Sequence, residues 1–138
     1  MAAITAAGQY SVARVHNDLV YTAGMTPRIN GQLAVTGVVG DTLTVADAVE
    51  AAAIAVRRAL DAASSCLGPD QGLAGILSLT VYISATPSFT DLSAVADGAS
   101  AVIATEFPDA ELPVRAAVGV ASLPGGAPVE VQLTATIR

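Results

Sequence analysis

Two isolated charges near the C-terminus are the residues of this chain best suited to chemistry. Arg115 opens an apolar run over residues 115–121, and Glu130 lies between Val129 and Val131. A partly buried guanidinium needs an anion close by, and a carboxyl in an apolar strand is equally isolated. Because the two runs are consecutive predicted strands, the two charges could face each other. Two interpretations stay open: a buried structural ion pair, or a site in which Arg115 binds an anionic ligand.

Other familiar catalytic arrangements are missing from the sequence. The single histidine, His16, stands beside a predicted turn without a recognisable serine or cysteine partner, so we expect an exposed hairpin residue. Cys66 is the only cysteine, which rules out an internal disulfide, and no group of three or four metal-ligating residues accompanies it. The glycines over residues 24–40 match no phosphate-binding loop. We therefore expect no metal and no organic cofactor.

The composition limits the partners of the protein. Hydrophobic residues make up 53% of the 138 residues, charged residues only 13%, and the net charge is −6 with no lysine. No basic cluster is visible, so nucleic acid is not an expected partner. No apolar run is long enough to span a membrane, and no secretory signal stands at the N-terminus, so we expect a cytoplasmic protein without membrane contact. The excess of apolar residues favours an oligomer.

Hydrophobic periodicity and turn residues predict the element order ββαβαββ within one domain, residues 1–138. The predicted elements are, in order, strands 11–16 and 19–22, helix 44–65, strand 76–85, helix 89–107, and strands 115–121 and 129–137. A loop or edge region over residues 28–40 contains a tight turn at Asn30–Gly31. Helices that alternate with strands in this way predict an α+β fold, a mixed sheet with both helices on one face. We expect another subunit to cover the other face.

Local signals support several of these elements. Thr44 and Asp47 resemble a capping box at the start of the first helix. Ser88 and Asp91 could cap the second helix. In the strand 76–85, alternation predicts that residues 77, 79, 81 and 83 share the buried face.

Several motifs resemble the RidA/YjgF family over nearly the whole chain. The most specific is the C-terminal stretch, Pro-Val-Arg at 113–115, Val-Gly-Val-Ala-Ser-Leu-Pro at 118–124 and Val-Glu-Val at 129–131. Residues 8–11 resemble the family's Gly-Pro-Tyr segment, and residues 20–27 resemble its hydrophobic-Thr-Ser-Gly-Gln-x-Pro strand. The stretch 97–100 is similar to the YjgF-like branch that is often labelled endoribonuclease.

The resemblance implies a chorismate-mutase-like fold and a homotrimer with three sites between subunits. It implies that Arg115 anchors a substrate carboxylate and that Glu130 orients water, both as catalytic residues. The remaining substrate-binding positions that it implies are Tyr10, Ala23, Gly24 and Ala117. The implied activity is that of a cofactor-free hydrolase, an enamine/imine deaminase. Such an enzyme converts 2-aminoacrylate-like enamines, by way of the imine, to 2-keto acids and ammonia.

The chain also departs from the family pattern. The family's serine and glutamine of the second motif are Ala23 and Met25 here, its frequent cysteine two residues after the arginine is Ala117, and its first proline is Gln9. The pocket should therefore be more apolar, which favours a substrate larger than 2-aminoacrylate, such as a 2-aminomuconate-type compound. Two alternatives to the deaminase stay open: a non-catalytic, small-carboxylate-binding or regulatory trimer, and, against the acidic charge balance, an endoribonuclease.

Overall fold

The computed structural model describes residues 4–138, in which seven strands and two helices follow one another along the chain. The elements are β1 (Ala13–His16), β2 (Leu19–Thr22), β3 (Arg28–Ile29), β4 (Gln32–Leu33), α1 (Val45–Ser65), β5 (Leu73–Ser84), α2 (Leu92–Glu106), β6 (Val114–Val120) and β7 (Val129–Ile137). Strands β3 and β4 form the small hairpin that the Asn30–Gly31 turn predicted, and both turn residues have positive φ, 53° and 80°. The Asn17 turn between β1 and β2 is also confirmed.

The five longer strands form one mixed sheet in the order β1-β2-β7-β5-β6. Neighbours pair antiparallel except β5 and β6, which run parallel because α2 carries the chain back between them. Both helices pack on one face of this sheet, so the predicted α+β arrangement is confirmed. Consecutive strands β6 and β7 are not neighbours, since β5 lies between them.

The helices pack closely because their facing residues are small. The capping box of α1 is confirmed: the Asp47 N–H donates to Thr44 Oγ1 at 3.2 Å, and the Thr44 N–H donates to Asp47 Oδ2 at 3.0 Å. Alanines form most of the buried stripe of α1. Where α2 crosses α1, a Cβ at Gly98 would overlap the Val49 carbonyl oxygen, so glycine permits the contact.

Sequence-based predictions about α2 and β5 are wrong in detail, and β5 begins at Leu73, three residues earlier than predicted. Helix α2 begins three residues later than predicted, because Thr86 accepts the Phe89 N–H in a turn and Ser88 contacts the Thr86 hydroxyl instead of capping the helix. Leu77 does not share the buried face of β5 and is 50% exposed. A β-bulge between Ile76 and Ser78 shifts the alternation, so that Ile76 turns inward in its place.

The sheet face opposite the helices carries exposed apolar side chains. Tyr21 is 46% exposed, Val114 71% and Val118 39%. Their cross-strand partners on this face are polar, Thr134 opposite Tyr21 and Tyr82 opposite Val118. Within residues 4–138, neither helix is long and apolar enough to cross a membrane.

Candidate functional site

A cleft of about 440 Å³ lies beside the start of β7, where the segment after β2, the β3–β4 hairpin and α1 meet. Three of the predicted site residues, Tyr10, Gly24 and Glu130, line it together. The other lining residues are Ile4, Thr5, Ala7, Val12, Met25, Thr26, Arg28, Asn30, Gly31, Arg58 and Pro124. A groove of similar size between α1 and α2 contains none of the predicted site residues.

A bulge after β2 positions Gly24 over Glu130. Regular pairing with β7 stops at Tyr21 and resumes where Met25 and Val131 exchange two hydrogen bonds of 2.8 Å, so residues 22–24 oppose only residues 132–133. Within the bulge the Thr22 hydroxyl replaces a backbone group, accepting from the Leu133 N–H at 3.1 Å. A Cβ at Gly24 would overlap the Glu130 carboxyl. Glycine therefore makes room for that side chain.

Glu130 is the acid of this cleft. It projects from the sheet face opposite the helices, where its register partner on β5 is Tyr82, and it is partly buried. Burial raises the pKa of the Glu130 carboxyl. Within residues 4–138 no hydrogen bond or ion pair engages that carboxyl. It can therefore bind and release a proton in contact with a ligand.

Tyr10 and Ala23 complete the neighbourhood in different ways. Tyr10 is 50% exposed at the cleft, and its hydroxyl accepts a hydrogen bond from the Ala7 N–H at 3.1 Å. Ala23 flanks the cleft: its N–H donates to the Val12 carbonyl at 2.8 Å, and its side chain packs against the core. The structure thus brings together Tyr10, Gly24 and Glu130, with Ala23 beside them.

The expectation that Arg115 and Glu130 face each other is wrong within a protomer. Arg115 pairs with Leu79 on β5, whose side chain is buried under the helices, whereas Glu130 projects from the opposite sheet face. The Arg115 guanidinium instead contacts α2. It donates to Asp97 Oδ1 at 2.7 Å, to Ser100 Oγ at 3.0 Å and to Ser93 Oγ at 2.7 Å.

Ala117 shares the location of Arg115. Two residues further along β6, it also projects toward the helices, opposite the buried Val81, and packs against the core. Neither Ala117 nor Arg115 lines the Glu130 cleft of its own protomer. The physical reason is the insertion of β5 between β6 and β7, which the local sequence does not reveal.

Two arginines in the cleft were not identified from the sequence. Arg58 of α1 donates through Nη1 to the Thr26 carbonyl at 2.8 Å. Arg28 of β3 donates through Nε to Thr26 Oγ1 at 3.3 Å and through Nη1 to the Gly31 carbonyl at 3.0 Å. Burial, followed by the charge of Arg28, lowers the pKa of Arg58. The one signal in the sequence is spacing, since Arg58 falls on the same helical stripe as the buried Ala51, Ala55 and Ala62.

The remaining reactive residues lie outside the cleft. His16 is exposed at the end of β1, and Cys66 is a free, partly buried thiol after α1. In the described part of the chain, no three His, Cys, Asp or Glu side chains come close enough together to hold a metal ion.

Comparison with known proteins identifies the family. The family described as Endoribonuclease L-PSP matches residues 1–137, so the chain belongs to it. Protein TCP17 of Trypanosoma cruzi is 36% identical over 117 residues, which are 79% of this chain and 73% of that protein.

Solved structures share the fold. Protein Atu1372 of Agrobacterium tumefaciens, described as of unknown function, is 31% identical with a TM-score of 0.86, over 94% of this chain and 83% of its own. TdcF of E. coli, solved with bound serine, is 20% identical with a TM-score of 0.67, and the match covers 95% of this chain and 90% of the TdcF chain. The YjgF gene product of E. coli is 21% identical with a TM-score of 0.63, and the match covers 95% of this chain and 90% of the YjgF chain. The resemblance to the RidA/YjgF family is therefore confirmed.

Proposed function

We propose that the protein is a cofactor-free hydrolase that deaminates small enamine or imine carboxylates in the Glu130 cleft. The observation that carries the proposal is the Glu130 carboxyl, which faces the cleft beside Gly24 and Tyr10 and has no partner among residues 4–138. Its pKa is raised by burial, which brings its proton exchange closer to neutral pH. A carboxyl in this state can both accept and return a proton.

The proposed reaction needs little more than positioning and proton transfer. The enamine tautomerises to the imine, whose carbon is already electrophilic. Water then adds to that carbon while Glu130 orients it and accepts its proton. Return of that proton to nitrogen gives a carbinolamine. Glu130 then transfers the proton of the new hydroxyl to nitrogen, the C–N bond breaks, ammonia leaves, and the carbonyl of a 2-keto acid forms. Tyr10, at the rim, would line the bound substrate.

We also propose that the protein acts as a homotrimer. The exposed apolar side chains of the sheet face opposite the helices, Val114 and Val118 among them, supply a surface that another subunit would cover. The trimer matters for Arg115, the carboxylate anchor that the resemblance implies. That role requires a neighbouring subunit to present Arg115 at the cleft and requires the guanidinium to reach beyond its bonds to α2.

The lining favours a substrate larger than 2-aminoacrylate. Met25 in the lining and Ala23 beside it replace polar residues of the family pattern, and Ile4 and Val12 add further apolar surface. A 2-aminomuconate-type compound remains one candidate. The serine bound to TdcF supports a small amino or keto acid as the ligand class. The net charge of −6 and the absence of lysine argue against RNA as the substrate, despite the name of the family.

Ammonia release tests the proposal. Purified protein is added to 2-aminoacrylate generated continuously by a dehydratase, and in parallel to imines of larger amino acids generated by an amino-acid oxidase. Ammonia and 2-keto acid should form faster than in the spontaneous reaction. Glu130→Gln should lower kcat and leave ligand affinity nearly intact, whereas Glu50→Gln, at an exposed position of α1, should change neither.

Two outcomes would redirect the proposal. Binding of a 2-keto acid without any acceleration of deamination would favour the non-catalytic, carboxylate-binding alternative. Equal rates for the parent and Glu130→Gln would exclude Glu130 as the residue that activates water.

A further inference from the structure

We infer that three polar side chains of α2 are positioning residues, which orient the Arg115 guanidinium for the carboxylate of the ligand. They are Ser93, Asp97 and Ser100. The inference rests on the proposed function, in which Arg115 serves the cleft of a neighbouring subunit, and it adds what holds that anchor in place. None of the three side chains lines the Glu130 cleft of its own protomer, so they would act only through Arg115.

The three side chains lie on one face of α2. Their positions are separated by four and then three residues, which places them one turn apart along the same face of a helix. The Arg115 Nη1 donates to Asp97 Oδ1 at 2.7 Å and to Ser100 Oγ at 3.0 Å. Nη2 donates to Ser93 Oγ at 2.7 Å. Because all three acceptors belong to one helix, they fix both the position and the plane of the guanidinium.

These contacts leave one edge of the guanidinium for a ligand. A guanidinium has five N–H groups, of which three donate to α2 here. Within residues 4–138 no hydrogen bond engages Nε, so the Nε–H and one N–H of Nη2 remain. Arginine–carboxylate pairs are frequently bidentate, but the pair with Asp97 uses one oxygen and one nitrogen. Arg115 can therefore take a carboxylate at its other edge without releasing α2.

The location of Arg115 suits a ligand that is shared between subunits. Within residues 4–138, β6 is an edge strand of the five-stranded sheet. The Arg115 side chain is 22% exposed there, so part of it can be reached from outside the protomer. The Asp97 side chain is 69% exposed, and solvent therefore screens its charge. The guanidinium keeps its attraction for a second anion.

Calorimetric titration with pyruvate and 2-oxobutanoate tests the inference, because neither compound is turned over. In the triple variant Ser93→Ala/Asp97→Ala/Ser100→Ala, binding should weaken roughly tenfold, because the ligand must then order a guanidinium that is free to rotate. Asp97→Ala alone should weaken binding about threefold. Asp97→Asn keeps an oxygen at the same place and should recover most of that loss. Glu106→Ala is the matched control, at an exposed position in the last turn of α2, and should bind like the parent.

Kinetics separate a positioning role from a purely structural one. In the ammonia assay the triple variant should raise KM by the same factor as the dissociation constant and leave kcat within about twofold of the parent, because Glu130 is unchanged. If the three residues only joined α2 to β6, the triple variant would lower Tm and leave both KM and keto-acid binding as in the parent. That result would reject the positioning role.

Two further results would overturn the inference. The first is tighter binding by Asp97→Ala than by the parent, which would make Asp97 a competitor of the ligand for Arg115. The second is an absence of pyruvate and 2-oxobutanoate binding to the parent. If the triple variant does not fold by circular dichroism, Asp97→Ala and the double variant Ser93→Ala/Ser100→Ala carry the test, and each should weaken binding.

Failure of the positioning role and failure of the proposed function are distinguishable. Binding that depends on Asp97 without ammonia release leaves the positioning role intact and rejects the deaminase. Ammonia release with an unchanged KM in the triple variant supports the deaminase and rejects the positioning role.

Discussion

Replacement of Arg115 separates a structural role from a carboxylate-binding role. Arg115→Met removes three hydrogen bonds that join β6 to α2. The bond to Asp97 contributes only ~0.2–1 kcal/mol, because the Asp97 side chain is 69% exposed. The bonds to Ser93 and Ser100 contribute ~0.5–1.5 kcal/mol each. Since methionine keeps an apolar stem of similar length, the free energy of unfolding should fall by about 2 kcal/mol.

This loss is large enough to measure by thermal unfolding. For a chain of this length, it corresponds to a decrease in Tm of about 7 °C. Arg115→Lys keeps the charge but loses the fork, so its Tm should lie between those of Arg115→Met and the parent. Arg14→Met is the matched control, at an exposed position of the opposite edge strand, and should stay within ~0.5 kcal/mol of the parent. All melts are compared at equal protein concentration, since a homotrimer would make Tm depend on it.

Repeating the melts with 2-oxobutanoate completes the test. If a neighbouring subunit presents Arg115 at the cleft, as proposed, the ligand should raise the Tm of the parent but not that of either Arg115 variant. An equal rise in Tm for the parent and for both variants would refute that role. Arg115 would then act only as a structural tie between β6 and α2.

Four further predictions follow from the same contacts. Because burial raises the pKa of Glu130, the folded state keeps the carboxyl proton at pH values where the unfolded chain has lost it. The free energy of unfolding should therefore fall as pH rises from the ordinary glutamate pKa through the raised pKa of the folded state. Denaturant melts of Glu130→Gln should lack this pH-dependent component. Gly24→Ala should displace the Glu130 carboxyl and reduce turnover and keto-acid binding, whereas Gly68→Ala, whose Cβ has no neighbour closer than 3.5 Å, should have no effect in the same assays. Light scattering coupled to gel filtration should give a trimer mass, and a mass of 13.7 kDa would contradict both the trimer and any role of Arg115 between subunits. Highly purified protein should leave labelled single-stranded RNA intact, and cleavage lost in Glu130→Gln would contradict the proposed substrate class.

The elements that the sequence predicted well depend on near neighbours. The Asn17 and Asn30 turns and the Thr44 capping box involve residues within four positions of one another, so their spacing alone indicates the geometry. The family motifs added the family membership, whereas the alternation of helices and strands already predicted the α+β fold. The limits of α2 and the inward turn of Ile76 were missed, because each depends on a single local bond or bulge that competes with the average pattern.

The pairing of Arg115 with Glu130 failed for a topological reason. Adjacent strands in sequence are usually adjacent in a sheet, and that rule predicted contact between the last two strands. Here the crossover through α2 places β6 on one side of β5, while β7 returns to the other side. The face from which each side chain projects depends further on register, which long-range pairing decides. The residues near Arg115 indicate neither the strand order nor the register.

Arg58 shows how a residue of the Glu130 cleft could have been predicted from the sequence. On α1, the buried positions 51, 55 and 62 define a stripe of alanines, and position 58 continues it at helical spacing. An arginine on that stripe packs its apolar stem against the fold, and its partly buried guanidinium is stabilised by hydrogen-bond acceptors nearby. The Thr26 carbonyl supplies one acceptor, from a segment 32 residues away. The negative charge of Asp61, three residues further along α1, also acts on the guanidinium, so Arg58 joins the cleft through helical spacing and one long-range bond, of which only the spacing is visible in the sequence.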